Sequence, residues 1–282
     1  MGQDHYSDAA LVLVGHGSTQ SLESGAPVTQ HAAALRRRQL FAEVREAFWK
    51  QAPQLSGVLS SLTAPRLFIV PVFISEGFFS EQVIPRALGL RLEGQADYSR
   101  VQRRGPQTLF YCRPVGTHEG MTGILLARAR EVLERFPFPR PPDPKETTLF
   151  IAGHGTEQDE NSRRTVTRHV EMIRALDLYA AVHAVFIEEA PRIGECYQIA
   201  RTRNIVVVPL FIGDGPHVRE DIPVLLGAPK PAVEQRLASG QPGWRNPTEA
   251  QGKRVWYASS VGGDPGVAEV ILERVREAEG ET

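Results

Sequence analysis

The chain repeats itself at a fixed offset, and this duplication restricts the possible folds more than any other feature of the sequence. Gly15-His16-Gly17 recurs as Gly153-His154-Gly155, a shift of 138 positions. The same shift, without a gap, aligns Leu11 with Leu149, His31 with His169, Phe48 with Phe186, Val70-Pro71 with Val208-Pro209, and Ile84-Pro85 with Ile222-Pro223. Tyr111 and Gly120 then match Tyr257 and Gly266 at a shift of 146, so the second copy has eight extra residues within 228–253.

Short apolar runs alternate with longer segments of helical periodicity in both copies. The runs are LVLVGHG, the segment around VREAFWK, RLFIVPVFI and TLFYCRPVG, and then TLFIAGHG, AAVHAVFIE, NIVVVPLFI and RVWYASSVG. Continuous apolar runs of this length are typical of buried parallel strands. The sequence therefore predicts an α/β protein with two tandem doubly wound parallel-sheet domains that arose by internal duplication.

Proline and glycine mark the predicted boundaries. A Pro-rich linker at 136–147 separates a first copy at 1–135 from a second copy at 148–282. The stretch that holds the eight extra residues, 228–253, is rich in Pro and Gly and predicts a surface loop. Two interpretations of that loop stay open, a lid over a site or an excursion without a role.

Charge and cysteine content exclude several classes of function. The net charge of −1 leaves no basic field for nucleic acid. Cys112 and Cys196 lie far apart without metal-ligand spacing, which predicts neither a disulfide framework nor a thiolate metal site and favours a reducing cytoplasm. The sequence has no secretory pattern at its start and no long apolar stretch, so we expect no membrane segment.

Three polar side chains follow apolar runs of the second copy. They are His154, Glu188 and His217. Ligands bind at the carboxyl ends of strands in open parallel sheets, and imidazole with carboxylate suits a divalent first-row metal. A single histidine at a strand end is also a common hydrogen-bonded structural residue, and the sequence does not exclude that role.

The first copy offers an internal comparison at these positions, because it carries His16, Lys50 and Phe79 there. The architecture therefore does not require Glu188 and His217, which favours a functional role for both. For His16 a structural and a functional role both stay open, and the structural one is favoured, since glycine in this turn permits a sharp exit from the strand.

Other candidate groups give weaker signals. His31 and His169 lie in helical segments and are expected on packed or solvated faces. Four arginines near the second-copy loops could meet an anionic ligand, although surface arginine is common: Arg163, Arg164, Arg192 and Arg219. A phosphoglycerate mutase-like histidine site is disfavoured because glycine, not arginine, precedes each histidine. No GxGxxG or GxxxxGK[ST] motif follows a strand.

The segments HGT, VFIEEAP and PLFIGDGPHVREDIP together resemble the class II tetrapyrrole chelatases, specifically sirohydrochlorin cobaltochelatases and ferrochelatases of the CbiX and SirB type. The resemblance covers nearly the whole chain, since long members are two fused chelatase domains. It implies that His154, His217 and Glu188 are metal-binding and catalytic. Phe79 stands where a second histidine belongs in the first copy, so the resemblance implies a degenerate first site and an active second one.

The implied activity is that of a metal chelatase of the lyase class. A divalent metal is the substrate, Co²⁺ by preference or Fe²⁺, and it enters sirohydrochlorin or a related carboxylate-rich tetrapyrrole in cobalamin or siroheme biosynthesis. No organic cofactor is implied. His154 and His217 would bind the metal and pass it on, while Glu188 would share in metal binding or accept a pyrrole proton. The alternative is a non-catalytic carrier of metal or tetrapyrrole. The oligomeric state stays open, and the internal duplication is compatible with a monomer.

Overall fold

Two five-stranded sheets form the framework of the computed structural model, which describes residues 6–19, 22–95, 97–156 and 160–280. In the first sheet, β3 is central and the order is β2-β1-β3-β5-β4; in the second, β8 is central and the order is β7-β6-β8-β10-β9. The strands are β1 Tyr6–Gly15, β2 Phe41–Phe48, β3 Arg66–Pro71, β4 Val101–Arg104, β5 Gln107–Tyr111, β6 Thr147–Gly153, β7 Ala181–Phe186, β8 Asn204–Pro209, β9 Thr248–Ala250 and β10 Lys253–Tyr257.

All strands are parallel except β4 and β9, which pair antiparallel with β5 and β10 at one edge of each sheet. The eight predicted apolar runs supply the eight parallel strands, and β6 shows why, since all seven of its residues are buried. The predicted fold class, two tandem doubly wound domains, is confirmed. The edge strands β4 and β9 were not predicted, because they are short and only partly buried.

Helices flank both sheets. In α5, the buried residues Val166, Val170 and Ile173 recur at intervals of four and three, which is the apolar stripe expected of a helix that packs on a sheet. The helices are α1 Ala26–Arg38, α2 Leu55–Ser60, α3 Ile84–Ala87, α4 Gly120–Arg135, α5 Glu160–Ala175, α6 Cys196–Ile199, α7 Ile222–Leu225, α8 Lys230–Ala238 and α9 Val267–Gly280. None of the helices in the described ranges has the length and apolar character needed to cross a bilayer.

The compact units of the structure differ from the sequence copies at one helix each. One unit comprises 1–118 and 265–282, and the other comprises 119–264. The last helix of each copy, α4 or α9, therefore belongs to the unit built on the other copy's sheet. The copies predicted at 1–135 and 148–282 describe the duplication of the sequence, and the exchange of α4 and α9 is a separate property of the fold.

Equivalent arginines hold both exchanged helices. Arg274 of α9 is 5% exposed, and it donates hydrogen bonds to Pro114 O at 3.1 Å and to Thr117 Oγ1 at 2.7 Å. Arg128 of α4 occupies the same place in the repeat, and its Nε lies 3.5 Å from Asp264 Oδ2. Each arginine thus contacts the segment that follows the last strand of the sheet on which its helix packs.

The sequence predicted a surface loop at 228–253, and this prediction is wrong, because the segment contains α8 and β9. Pro231 lies in the first turn of α8, and Gly240 follows its end with φ +69°, a usual start and stop for a helix. Trp244 is 3% exposed and packs in the core of the second unit with Val255 and Tyr257. The segment therefore contributes Trp244 to the core of the second unit.

Both cysteines are buried, and neither forms a disulfide within the described residues. Burial raises the pKa of Cys196 to about 12, so this thiol is protonated at neutral pH. Cys196 packs among apolar side chains of the second core.

Candidate metal-binding site

The turn that carries His154 is determined by close packing. β6 ends at Gly153, where a Cβ would lie 2.5 Å from Val166 Cγ2 of α5. Gly155 has φ +68°, and a Cβ there would lie 2.6 Å from Glu189 Cγ. Only glycine fits both positions, and the turn leaves His154 at the carboxyl end of the strand.

His154 has a defined tautomer. Its Nδ1 lies 2.8 Å from Gly155 O. A carbonyl oxygen only accepts hydrogen bonds, so Nδ1 carries the hydrogen and the neutral ring keeps a lone pair on Nε2. His16 makes the same contact with Gly17 O at 2.8 Å. The turn therefore orients this histidine in both copies, which fits the structural interpretation of His16.

His217 opens a π-helical turn, His217–Asp221, that runs into α7. Ile222 N–H donates to His217 O, five residues back, and Pro223 has no N–H with which to continue an α-helical ladder at Arg219. The first copy forms the same π turn at Phe79–Val83, with Pro85 in the equivalent place. The π turn is thus a property of the fold and is not by itself a sign of function.

Asp221, which was not among the residues predicted from the sequence, orients His217. The Oδ2 of Asp221 lies 2.6 Å from His217 Nδ1, so the carboxylate accepts the Nδ1 hydrogen and Nε2 is left with its lone pair. Carboxylates commonly fix metal-binding histidines in this way. The i, i+4 spacing was a usable signal, and the first copy has lost both members of the pair together, with Phe79 and Val83 at these positions.

The structure brings the two histidines into ring contact. The ring centroids of His154 and His217 are 4.9 Å apart with an interplanar angle of 82°. Their side chains are 37% and 48% exposed, so a ligand can reach both from solvent. In the first copy, His16 and Phe79 pack in nearly the same way, at 4.4 Å and 89°, but the phenyl ring offers no nitrogen ligand.

Glu188 lies beside His154 on the Nδ1 side of the ring. Its Oε2 is 3.8 Å from His154 Nδ1, and its backbone N–H donates to His154 O. In the part of the chain that the structure describes, no group of three or more His, Cys, Asp or Glu side chains is arranged to hold a metal ion. The described site is therefore a pair of imidazoles with a neighbouring carboxylate, and the predicted three-ligand set stays a prediction.

The other candidate groups have contacts that account for them. His31 and His169 are buried, and His169 Nδ1 lies 2.9 Å from Thr122 Oγ1, in agreement with a packed helix face. Arg163 donates to Glu189 Oε2 at 2.8 Å and to Ala190 O at 2.9 Å, so it supports the loop that follows β7. Arg219 is exposed on the π turn.

Two doubly wound sheets, with a pair of histidines at the strand-end edge of one of them, place the chain in the class of chelatase-like α/β proteins. The model of the CbiX family matches residues 10–132 and 148–278, which are the two copies recognised in the sequence. The chain belongs to the CbiX family.

Known relatives agree with this assignment. The chain is 39% identical over 279 residues to the "Probable sirohydrochlorin cobaltochelatase" of Halobacterium salinarum, covering 95% of this chain and 91% of the relative. A multi-domain protein of Deinococcus radiodurans, described as structurally similar to chelatases, is 29% identical with a TM-score of 0.76; the match covers 96% of this chain and 55% of the Deinococcus protein. SirB of Bacillus subtilis, solved with Fe³⁺, shares the fold at 18% identity and a TM-score of 0.67, covering 97% and 98% of the two chains.

Proposed function

We propose that this chain inserts a divalent metal into sirohydrochlorin at the strand-end edge of its second sheet. The observation that carries the proposal is the contact between His154 and His217, in which each ring has its Nδ1 hydrogen held by an acceptor and its Nε2 lone pair available. The substrate is suggested by the name of the Halobacterium relative, which belongs to the same family.

Two imidazoles suit a metal that must be delivered and not retained. Neutral imidazole binds Co²⁺ and Fe²⁺ alike. Structural metal sites usually surround the ion with four protein ligands, whereas an incomplete set leaves positions open for an incoming ligand. The half-exposed His154 and His217 would hold the metal substrate by Nε2 and give it up as pyrrole nitrogens replace them.

Glu188 is assigned the role of proton acceptor. Insertion of M²⁺ releases two pyrrole N–H protons, and a carboxylate near the macrocycle accelerates their removal. The Glu188 carboxylate lies on the Nδ1 side of His154 and is 53% exposed, so it can take up protons one at a time and pass them to solvent. This position suits proton transfer better than coordination beside the two Nε2 atoms.

Cobalt is the proposed metal and cobalamin synthesis the proposed route, because the relative that matches nearly the full chain is named a cobaltochelatase. Iron insertion for siroheme is the alternative. The ligand types do not separate the two metals, so the choice rests on a direct comparison of rates.

The test is an anaerobic absorbance assay with sirohydrochlorin and either Co²⁺ or Fe²⁺. His217→Phe introduces the residue that the first copy carries in the same ring geometry, so the fold is preserved while a metal ligand is lost. We expect insertion to fall to near the spontaneous rate in His217→Phe and in His154→Ala. Glu220→Gln, on the same π turn, is the matched control and should retain the wild-type rate.

The outcomes separate the enzyme from the carrier. Conversion above the spontaneous rate that depends on His217 supports the chelatase, and the faster metal identifies the substrate. Binding spectra without insertion would support the alternative, a carrier of tetrapyrrole or metal. Wild-type rates in both histidine variants would overturn the proposed site.

A further inference from the structure

The strand-end edge of the first sheet carries a cluster of aromatic rings where the second sheet carries its histidine pair. The ring of Phe79 packs against His16, against Phe78 at 5.7 Å and parallel to Phe73 at 6.4 Å between centroids. Trp49 follows β2 at this edge, and its backbone N–H donates to Gly15 O, next to His16. These residues lie at the strand-end edge of the first sheet and are called here the aromatic edge.

The aromatic edge presents rings to solvent. Phe78 is 57% exposed and Trp49 is 39% exposed; in the described ranges, the one other Phe or Trp side chain with comparable exposure is Phe138, at 48%. Exposed aromatic side chains that cluster in one place are a usual mark of a binding surface.

The second copy has no aromatic ring at two of these positions. Pro216 and Ile187 stand where Phe78 and Trp49 stand in the first copy. The aromatic edge is therefore not a requirement of the shared fold.

The charge of the edge has changed together with its rings. In the second copy, the segments that follow β7, β8 and β10 (187–189, 210–221 and 258–259) carry five carboxylates and one arginine, a formal charge of −4. The corresponding first-copy segments, 49–51, 72–83 and 112–113, carry two cations and two carboxylates, a formal charge of zero. Lys50 replaces Glu188, and its backbone N–H makes the same bond, to His16 O. An acidic edge favours a cation, whereas the first edge has lost that preference.

We propose that the aromatic edge binds a planar, carboxylate-rich tetrapyrrole by ring stacking on Phe78 and Trp49, with Lys50 pairing to a carboxylate of the ligand, and that it holds no metal. The choice of ligand rests on the proposed function. Stacking needs flat exposed rings and an anionic rim needs a cation, and both are present. Metal binding is disfavoured because Phe79 has no lone pair and the ammonium group of Lys50 repels a divalent ion.

The test uses metal-free uroporphyrin I, a stable macrocycle with eight carboxylates, in buffer with a chelator. Its dissociation constant is measured from the shift of its visible absorbance with the full-length protein. We expect Phe78→Ala to weaken binding about three- to tenfold, the range of a lost aromatic contact. Lys50→Glu should weaken it about two- to tenfold, with the difference from wild type shrinking in high salt. Phe138→Ala, an exposed phenylalanine in the 136–147 segment, is the control and should bind as wild type does.

Wild-type affinity in both Phe78→Ala and Lys50→Glu would overturn the proposal, and so would the absence of binding to the wild-type chain. Metal insertion is measured on the same proteins. If wild type inserts metal but Phe78→Ala and Lys50→Glu bind uroporphyrin I as wild type does, the aromatic edge is refuted as a binding site and the proposed function stands. If binding depends on both residues but no metal is inserted, the proposed function fails and the aromatic edge stands.

Discussion

Removal of the Asp221 carboxylate should weaken the use of metal without unfolding the protein. The carboxylate accepts the Nδ1 hydrogen of His217 at 2.6 Å and so keeps the lone pair on Nε2, the atom proposed to bind the metal. Loss of such a partner typically costs about 10- to 100-fold in metal affinity or activity. Both side chains are 48% exposed, so water can partly replace the bond, and Asp221→Ala should lie near the lower limit, about tenfold or ~1.4 kcal/mol.

A conservative variant separates hydrogen bonding from charge. In Asp221→Asn the side-chain oxygen still accepts from His217 Nδ1, so the tautomer is retained while the negative charge is lost. If the tautomer is what matters, Asp221→Asn should recover most of the loss seen with alanine. Initial rates are measured against Co²⁺ concentration at saturating tetrapyrrole, and the effect is expected in KM for the metal.

A KM for the metal in Asp221→Ala equal to that of wild type would refute the proposed role of the Asp221 carboxylate. If Asp221→Asn raises the KM for the metal as much as Asp221→Ala does, the explanation by the tautomer of His217 is refuted, because the negative charge would then be the property that matters. Thermal unfolding serves as the control for stability. An exposed substitution of this kind should change the free energy of unfolding by no more than about 0.5 kcal/mol.

Three further predictions concern stability. Arg274→Met should lower the free energy of unfolding by about 1–3 kcal/mol in urea, because it removes the hydrogen bonds that the buried guanidinium donates to Pro114 O and Thr117 Oγ1; an unchanged midpoint would contradict this. Trp244→Ala should cost about 3–5 kcal/mol by leaving a cavity, and a loss below 1 kcal/mol would contradict a core role for Trp244. Burial lowers the pKa of His183 below 6.5, with help from the positive charge of Arg174, so the unfolded chain takes up the proton first. Stability should therefore fall as pH drops below about 6.5, and His183→Gln should flatten that slope between pH 7.5 and 5.5 in equilibrium unfolding.

The parallel strands and the edge at which His154 and His217 meet could be predicted from the sequence because both depend on local patterns. Continuous apolar runs mark β6 and β8, which are neighbours in the sheet, and the residues that follow neighbouring parallel strands meet at one edge. The contact between His154 and His217 follows from this geometry. The internal comparison with Phe79 was informative for the same reason, since both copies build the same edge.

Other features depend on side-chain direction or on long-range packing, which a single sequence does not specify. The carboxylate of Glu188 could have faced either side of the His154 ring, and the rotamer decides between them. The exchange of α4 and α9 could not be predicted, because the two helices have the same pattern of apolar residues, with Arg128 and Arg274 at equivalent positions. A helix with that pattern can pack on either sheet, and only the connections along the chain determine on which sheet it packs.

The exchange of helices has a consequence for how the gene can be divided. A fragment cut at the Pro-rich segment and expressed as 148–282 would carry the histidine pair but would lack α4, which covers part of its sheet, and would expose the apolar face of α9. A fragment of 119–264 keeps the second sheet with its own covering helix. The shortest autonomous version of the site is therefore expected to begin inside the first copy and to stop before the end of the second, at boundaries that an alignment of the two copies would not suggest.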